Sequence, residues 1–259
     1  MKKIQLTDLP FEILENVLKR LSPEDLVVFK ACSRECTTLV RKSNLPIPDQ
    51  LDVEEFARRG ERVLWAHEQG CPLVCELFDI VSRVGDEAAL QVTFDLGCSW
   101  NEWTCSEAVR RAEDEAIATL TWLREHGCPW NARCLEIACL LDSSNENRKG
   151  DVVRWLIENK CPMNEMACAM AARAPSLRLL KYLREHGCPW DHLTCSRAAL
   201  HGRFETLKWA RENGCPWDSK TFTNAFFNGH RRILEYALNH GCPTNPHELQ
   251  VVFLLSDDN

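Results

Sequence analysis

No run of apolar residues in this chain approaches the roughly 18–20 that span a bilayer, so the sequence carries no candidate membrane helix and no membrane partner is expected. The opening MKKIQLTDLP lacks the apolar core of a signal peptide, because Asp8, Pro10 and Glu12 interrupt it at once. The expected location is therefore cytoplasmic or nuclear. Glycines are never clustered, which leaves no loop able to cradle a phosphate through its backbone. No close C-x-x-C pair exists, so the usual zinc spacing is missing. Positive charge is also short, 31 Lys and Arg against 38 Asp and Glu, for a net −7. Such a chain has no general electrostatic footprint for a phosphate backbone, and the expectation is that it takes no nucleic acid.

What the sequence does have suits a folded protein: 45% apolar and 27% charged residues. It also has fifteen cysteines, an odd number that excludes a complete intrachain disulfide set. A reducing compartment would keep them as thiols.

The cysteines keep a rhythm. Gly-Cys recurs at Cys71, Cys98, Cys128, Cys188, Cys215 and Cys242, with Lys160-Cys161 in the remaining slot, at spacings of 27, 30, 33, 27, 27 and 27 residues. A 27-residue unit with two insertions follows, and the six extra residues of the longer one fall in the polar stretch Asp142–Gly150. Seven residues before each Gly or Lys160 stands Val63, Leu90, Leu120, Val153, Leu180, Leu207 or Leu234. Five before stands Trp65, Val92, Trp122, Trp155, Tyr182, Trp209 or Tyr236. The phase predicts a helix with a buried apolar edge that ends on a basic residue, His or Asn and is stopped by a left-handed Gly. The exact repeat LREHGCPW, at Leu123–Trp130 and Leu183–Trp190, is then a last helical turn and its loop. Pro keeps that helix from continuing. A second short helix is predicted over Thr194–Gly202 and Thr221–Gly229, with Thr194 or Thr221 as the N-cap and Ala198 or Ala225 at the close approach. Helix pairs of this kind cannot bury their apolar faces singly, so about seven must stack into an all-α solenoid.

The stretch RFETLKWARENGCPWD resembles the second half of an ankyrin repeat, with Cys-Pro-Trp-Asp where that family has Ala-Asp-Val-Asn. The unit is about six residues short of the family's and lacks its Thr-Pro-Leu-His opening, which implies a reduced β-hairpin finger. Short Gly-Cys-Pro-Trp units are similar to ankyrin-like arrays of large DNA viruses of protists. That resemblance implies a role in virus–host interaction and, if so, the host cytoplasm.

The repeated cysteines and histidines also look like chemistry. One unit, however, supplies too few ligands for tetrahedral zinc, and equivalent residues of stacked units stand about 8–10 Å apart. The same distance excludes disulfides between equivalent cysteines. A catalytic thiol is needed once, beside one base, and nothing singles out one Cys-His pair. The bland reading is preferred: Cys as a small buried apolar residue, and Trp100, Trp130, Trp190 and Trp217 as packing between units. No catalytic residue, metal or cofactor is expected, and the chain is not expected to be an enzyme.

The first forty residues break the rhythm. LTDLPFEILENVLKRLSPEDLVVFKACSRECTTLV carries apolar residues at three- and four-residue steps, Pro10 at a helix start and a Ser22-Pro-Glu-Asp25 cap. So short a segment can barely bury them, and those left exposed mark a docking surface; the alternative is that the helices simply cap the first repeat. It resembles an F-box: Leu9, Pro10, Glu12, Ile13 and Leu14, then Leu21, Ser22, Asp25 and Leu26, then Cys32, Ser33 and Arg34, without the usual Trp after them. The resemblance implies that Leu9, Pro10, Ile13, Leu14, Leu18 and Leu26 enter the groove of a Skp-type adaptor of a cullin-RING ubiquitin ligase.

The expected domains are an F-box-like head over 1–42, a Pro-containing linker over 43–50, an ankyrin-like array over 51–245, and a capping helix with a polar tail over 246–259. The expected function is a non-catalytic adaptor that recruits an unknown target protein to the ligase. The alternative is an interaction scaffold with no ligase link. Target contacts are expected at positions that vary between units, among them His192, Arg197, His201, Lys220 and Asn224.

Overall fold

The fold is described from a computed structural model. It describes residues 57–68, 75–144 and 150–244, and Lys19 alone near the N-terminus. The residues expected to bind an adaptor, Leu9, Pro10, Ile13, Leu14, Leu18 and Leu26, the expected 43–50 linker, the Gly70-Cys71 loop and the expected final helix lie outside the described residues.

The described residues form thirteen α-helices and no strand. The chain divides into two compact units, Met1–Ser99 and Trp100–Asn259. In the first, α1 (Gly60–Glu68) and α2 (Cys75–Val84) each pack on α3 (Glu87–Asp95). Gly60 is required there: a Cβ would lie 2.8 Å from the Ala88 carbonyl group. Val63, Phe78, Val81, Ala89 and Leu90 form the buried core of this unit.

The second unit alternates helices in two rows. The inner row is α4 (Glu102–Ala108), α6 (Arg133–Ser144), α8 (Glu165–Ala171), α10 (His192–Leu200) and α12 (Ser219–Phe227). The outer row is α5 (Glu113–Glu125), α7 (Asp151–Glu158), α9 (Arg178–Glu185), α11 (Phe204–Glu212) and α13 (Arg231–Asn239). Each inner helix packs on the next inner helix and on the outer helix that follows it. Ala108, Ala138, Ala171, Ala198 and Ala225, one per inner helix, are fully buried or nearly so, as close approach of helix backbones requires. The predicted apolar phase holds at Leu120, Val153, Leu180 and Leu207, which are fully buried, whereas Leu234 is half-buried and Ile233 beside it takes the buried place.

The described parts of the insertions lengthen helices. The helix α5 is longer than its counterparts at its N-terminal end, and α6 runs through Asp142–Ser144, part of the stretch expected to be loop. The N-terminus of α7, whose N-cap is Gly150 with no side chain to offer, is capped from outside. Glu113 on α5 accepts from the Gly150 and Asp151 amides at 3.2 and 3.3 Å.

The N-caps of the inner helices differ from expectation. They are Asn101, Asp191 and Asp218, whose side chains accept from the amides of Trp103, Leu193 and Lys220. Thr194 and Thr221 lie three residues further on, inside the helices and fully buried. The Asx side chain wins because it stands where the chain leaves the extended conformation, with φ near −139° at Asp191 and −134° at Asp218. The residue completing Cys-Pro-Trp-Asp/Asn is therefore the start of the next helix.

Candidate target-binding face

What the repeated residues do is settled at the loop between units. In LREHGCPW the Arg does most. Arg124, Arg184 and Arg211 each donate from Nη1 to the carbonyl of the Cys four residues on: Cys128, Cys188 and Cys215. Each guanidinium then lies over the following Trp, 4.5 Å from Trp130, 4.1 Å from Trp190 and 4.2 Å from Trp217. The Trp presents its edge to the outer helix of the next unit, Trp130 to Trp155 at 6.0 Å, Trp190 to Trp209 at 5.8 Å and Trp217 to Tyr236 at 6.2 Å.

The His of the motif is a helix C-cap. His126, His186 and His240 point Nδ1 at the carbonyls of Trp122, Tyr182 and Tyr236 at 2.8, 2.8 and 2.7 Å. A carbonyl only accepts, so Nδ1 carries the proton. Asn159 and Asn213 make the same bond through Nδ2 at 2.8 Å, which explains why His and Asn alternate at this position.

The cysteines hold a surprise. Loop thiols reach back one unit: Cys128, Cys161, Cys188, Cys215 and Cys242 donate to the carbonyls of Asn101, Asn131, Asn164, Asp191 and Asp218 at 3.3–3.8 Å. Each of four also meets a second cysteine from the preceding inner helix. Cys105 lies 3.5 Å from Cys128, and Cys134, Cys168 and Cys195 are hydrogen-bonded to Cys161, Cys188 and Cys215. Comparing only equivalent cysteines overlooks these pairs, because each is formed by two different positions of the repeat. All are free thiols. The partner thiol and then burial push the pKa of Cys105, Cys161, Cys168 and Cys195 far up, so these are protonated packing groups and not nucleophiles. In the last described unit Phe222 replaces the second cysteine, and burial raises Cys242 to about 11.

With the joints occupied in this way, the residues that vary between units include the five expected to contact a target. His192 sits between two N-cap carboxylates, Nδ1 3.8 Å from Asp191 and Nε2 3.7 Å from Asp218. Lys220 is exposed. Asn224 is half-buried and donates across the row to the Ser196 carbonyl and hydroxyl at 3.0 and 2.8 Å, so it also ties neighbouring helices together. Arg197 and His201 fall together at the C-terminal end of α10. Two residues absent from the expected set join the face: Trp103 is 45% exposed and carries the Arg133 guanidinium 4.5 Å above its ring. They repeat in no other unit and so leave no periodic mark.

The F-box domain family model matches residues 6–48 of the chain. No curated protein matches it. Among solved structures, the chain is similar to the pentatricopeptide repeat protein PPR10 from maize, with 16% identity and a TM-score of 0.45, over 94% of this chain and 41% of that one. It is also similar to PPR10 in complex with an 18-nt psaJ RNA element, with 13% identity and a TM-score of 0.35, over 94% of this chain and 45% of that one. The chain thus spans less than half the length of these proteins.

One expectation is corrected by these findings. The expectation that the chain takes no nucleic acid is withdrawn: a solved structure to which it is similar is PPR10 in complex with an 18-nt RNA element. The physical reason is that −7 is a sum over the whole chain, whereas binding depends on local patches. Arg173, Arg197 and Arg203 make one such patch, each acting on His201 as a nearby positive charge.

Proposed function

We propose that this protein is a non-catalytic, substrate-recruiting adaptor of a Skp-cullin-F-box type ubiquitin ligase. The head binds a Skp-type adaptor, and the ankyrin-like repeats bind a target protein. The F-box match over residues 6–48 carries the reading. It is supported by a helical body in which the repeated residues are consumed by joints, leaving an inner row that differs from unit to unit. Ubiquitin transfer then belongs to other subunits, and the protein works in the cytoplasm or nucleus by holding two partners together. A viral source acting on host proteins fits the short Gly-Cys-Pro-Trp units.

The test is capture of a Skp-type adaptor by the full-length chain, with Leu9→Ala and Pro10→Ala combined as the control. Capture by the wild type and its loss in the double variant are expected. Absence of capture, or capture indifferent to both substitutions, sinks the ligase link and leaves a scaffold.

A further inference from the structure

The C-terminal ends of α8 and α10 bring five basic side chains together. Arg173 follows α8, Arg197 lies in the last turn of α10, and His201 and Arg203 follow it; His230 arrives from the start of α13. Two are pinned by their own bonds. Arg203 Nε donates to the Arg173 carbonyl at 2.8 Å. His230 Nε2 lies 3.3 Å from the Leu200 carbonyl, and its ring packs on Gly202, where a Cβ would come within 2.7 Å of it.

Most of the remaining donors are unspent; Arg173 Nη1 lies 3.9 Å from the Met170 sulfur, a weak acceptor. The Arg197 side chain makes no hydrogen bond or ion pair with any described residue, and the Nη groups of Arg203 are free of described partners. His201 Nε2 is closed off from solvent and has no partner among the described residues. Burial, then Arg173, Arg203, Arg197 and His230 in turn, hold the His201 pKa below its usual value. Each of those four is a base. Several other exposed cations in this unit are paired, Arg110 with Glu107, Arg154 with Asp151 and Arg231 with Glu235.

We propose that Arg173, Arg197 and Arg203 form a binding site for a phosphomonoester dianion. Guanidinium forks match phosphate oxygens in pairs, and a phosphomonoester brings about −1.5 to −2 charge with three acceptor oxygens. A carboxylate brings half that charge to a site with three permanent cations. A polynucleotide needs a track of cations several phosphates long. At the corresponding helix ends of other units the cations are instead paired, Arg110 with Glu107, Arg111 with Glu115, Arg231 with Glu235 and Arg232 with Glu205. The patch is a focus and not a track, so the ligand is a terminal phosphate ester, carried on a protein side chain or free. The site stands whether or not the head engages a ligase.

The test titrates the full-length protein, without any adaptor, with inorganic phosphate, a phosphoserine peptide, the same peptide unphosphorylated, and single-stranded RNA. Saturable binding of the phosphate or the phosphopeptide, but not of the unphosphorylated peptide, is expected, and the tighter of the two identifies the source. Arg197→Gln removes no internal bond and should weaken binding at least tenfold. Arg231→Gln, which loses only its pairing with Glu235, should leave it unchanged. Phosphate should also move the His201 imidazole titration upward in NMR, since an anion offsets the surrounding cations. Absence of saturable binding, or equal affinity in Arg197→Gln, overturns the site. Tighter binding of RNA than of either phosphate, lost in the same variant, overturns its assignment to a monoester.

Discussion

Lys160 occupies the slot that glycine fills at the other described joints, and it is forced into the same backbone. Its φ is +61°, against +75° at Gly97, +83° at Gly127, +78° at Gly187, +85° at Gly214 and +72° at Gly241. The left-handed conformation costs a residue with a Cβ about 1–2 kcal/mol. Glycine recovers that but enlarges the unfolded ensemble, a loss of about 0.4–1 kcal/mol. Lys160→Gly should therefore stabilise the protein by about 0.5–1 kcal/mol, net of the two effects. The mirror substitution isolates the cause. A Cβ at Gly214 meets nothing within 4 Å, so Gly214→Ala carries the conformational cost without a clash. It should destabilise by about the same amount. Both are read from urea unfolding of the full chain at fixed denaturant slope. Hydrogen exchange of the Cys161 amide adds a local measure, because that amide closes the joint by donating to the Leu156 carbonyl at 2.9 Å. A less stable Lys160→Gly, or a neutral Gly214→Ala, would refute the reasoning.

Two further outcomes follow from the joints. Arg211→Ala removes a charged donor to the Cys215 carbonyl and the cation over Trp217, and should cost about 2 kcal/mol with a red shift of tryptophan emission; an unchanged unfolding midpoint would show the clamp to be ornamental. Cys105, Cys161, Cys168 and Cys195, held protonated and packed, should react with a thiol reagent only as fast as the array opens, in step with amide exchange; rapid labelling of one of them in the native protein would reinstate a reactive thiol.

Periodicity made the architecture legible. The apolar phase seven residues before each Gly named the buried leucines, and the Gly-Cys-Pro sequence named the turns. These are single-position features that recur, so counting finds them. The thiol pairs were hidden because the second cysteine changes register: Cys105, Cys168 and Cys195 stand four residues after Asn101, Asn164 and Asp191, but Cys134 stands three after Asn131. The caps were misplaced by three residues because Asp191 and Thr194 are both good cap formers, and only backbone geometry chooses between them. Arg197 and His201 were named from the sequence, but the cluster around them was not. It is assembled from residues on either side of two turns, Arg173 to His230, in a chain whose total charge points the other way.

The thiol that closes each joint bonds to the carbonyl that opens the unit before it. A unit therefore carries one half of a joint at its start and the complementary half at its end. Copying one such 27-residue cassette in frame would place every clamp, cap and thiol against a mate already shaped to receive it. The array can lengthen or shorten by whole units without redesigning what holds it together. Growth of this kind adds inner-row surface that is free to diverge, so a new partner can be reached by duplication first and substitution afterwards.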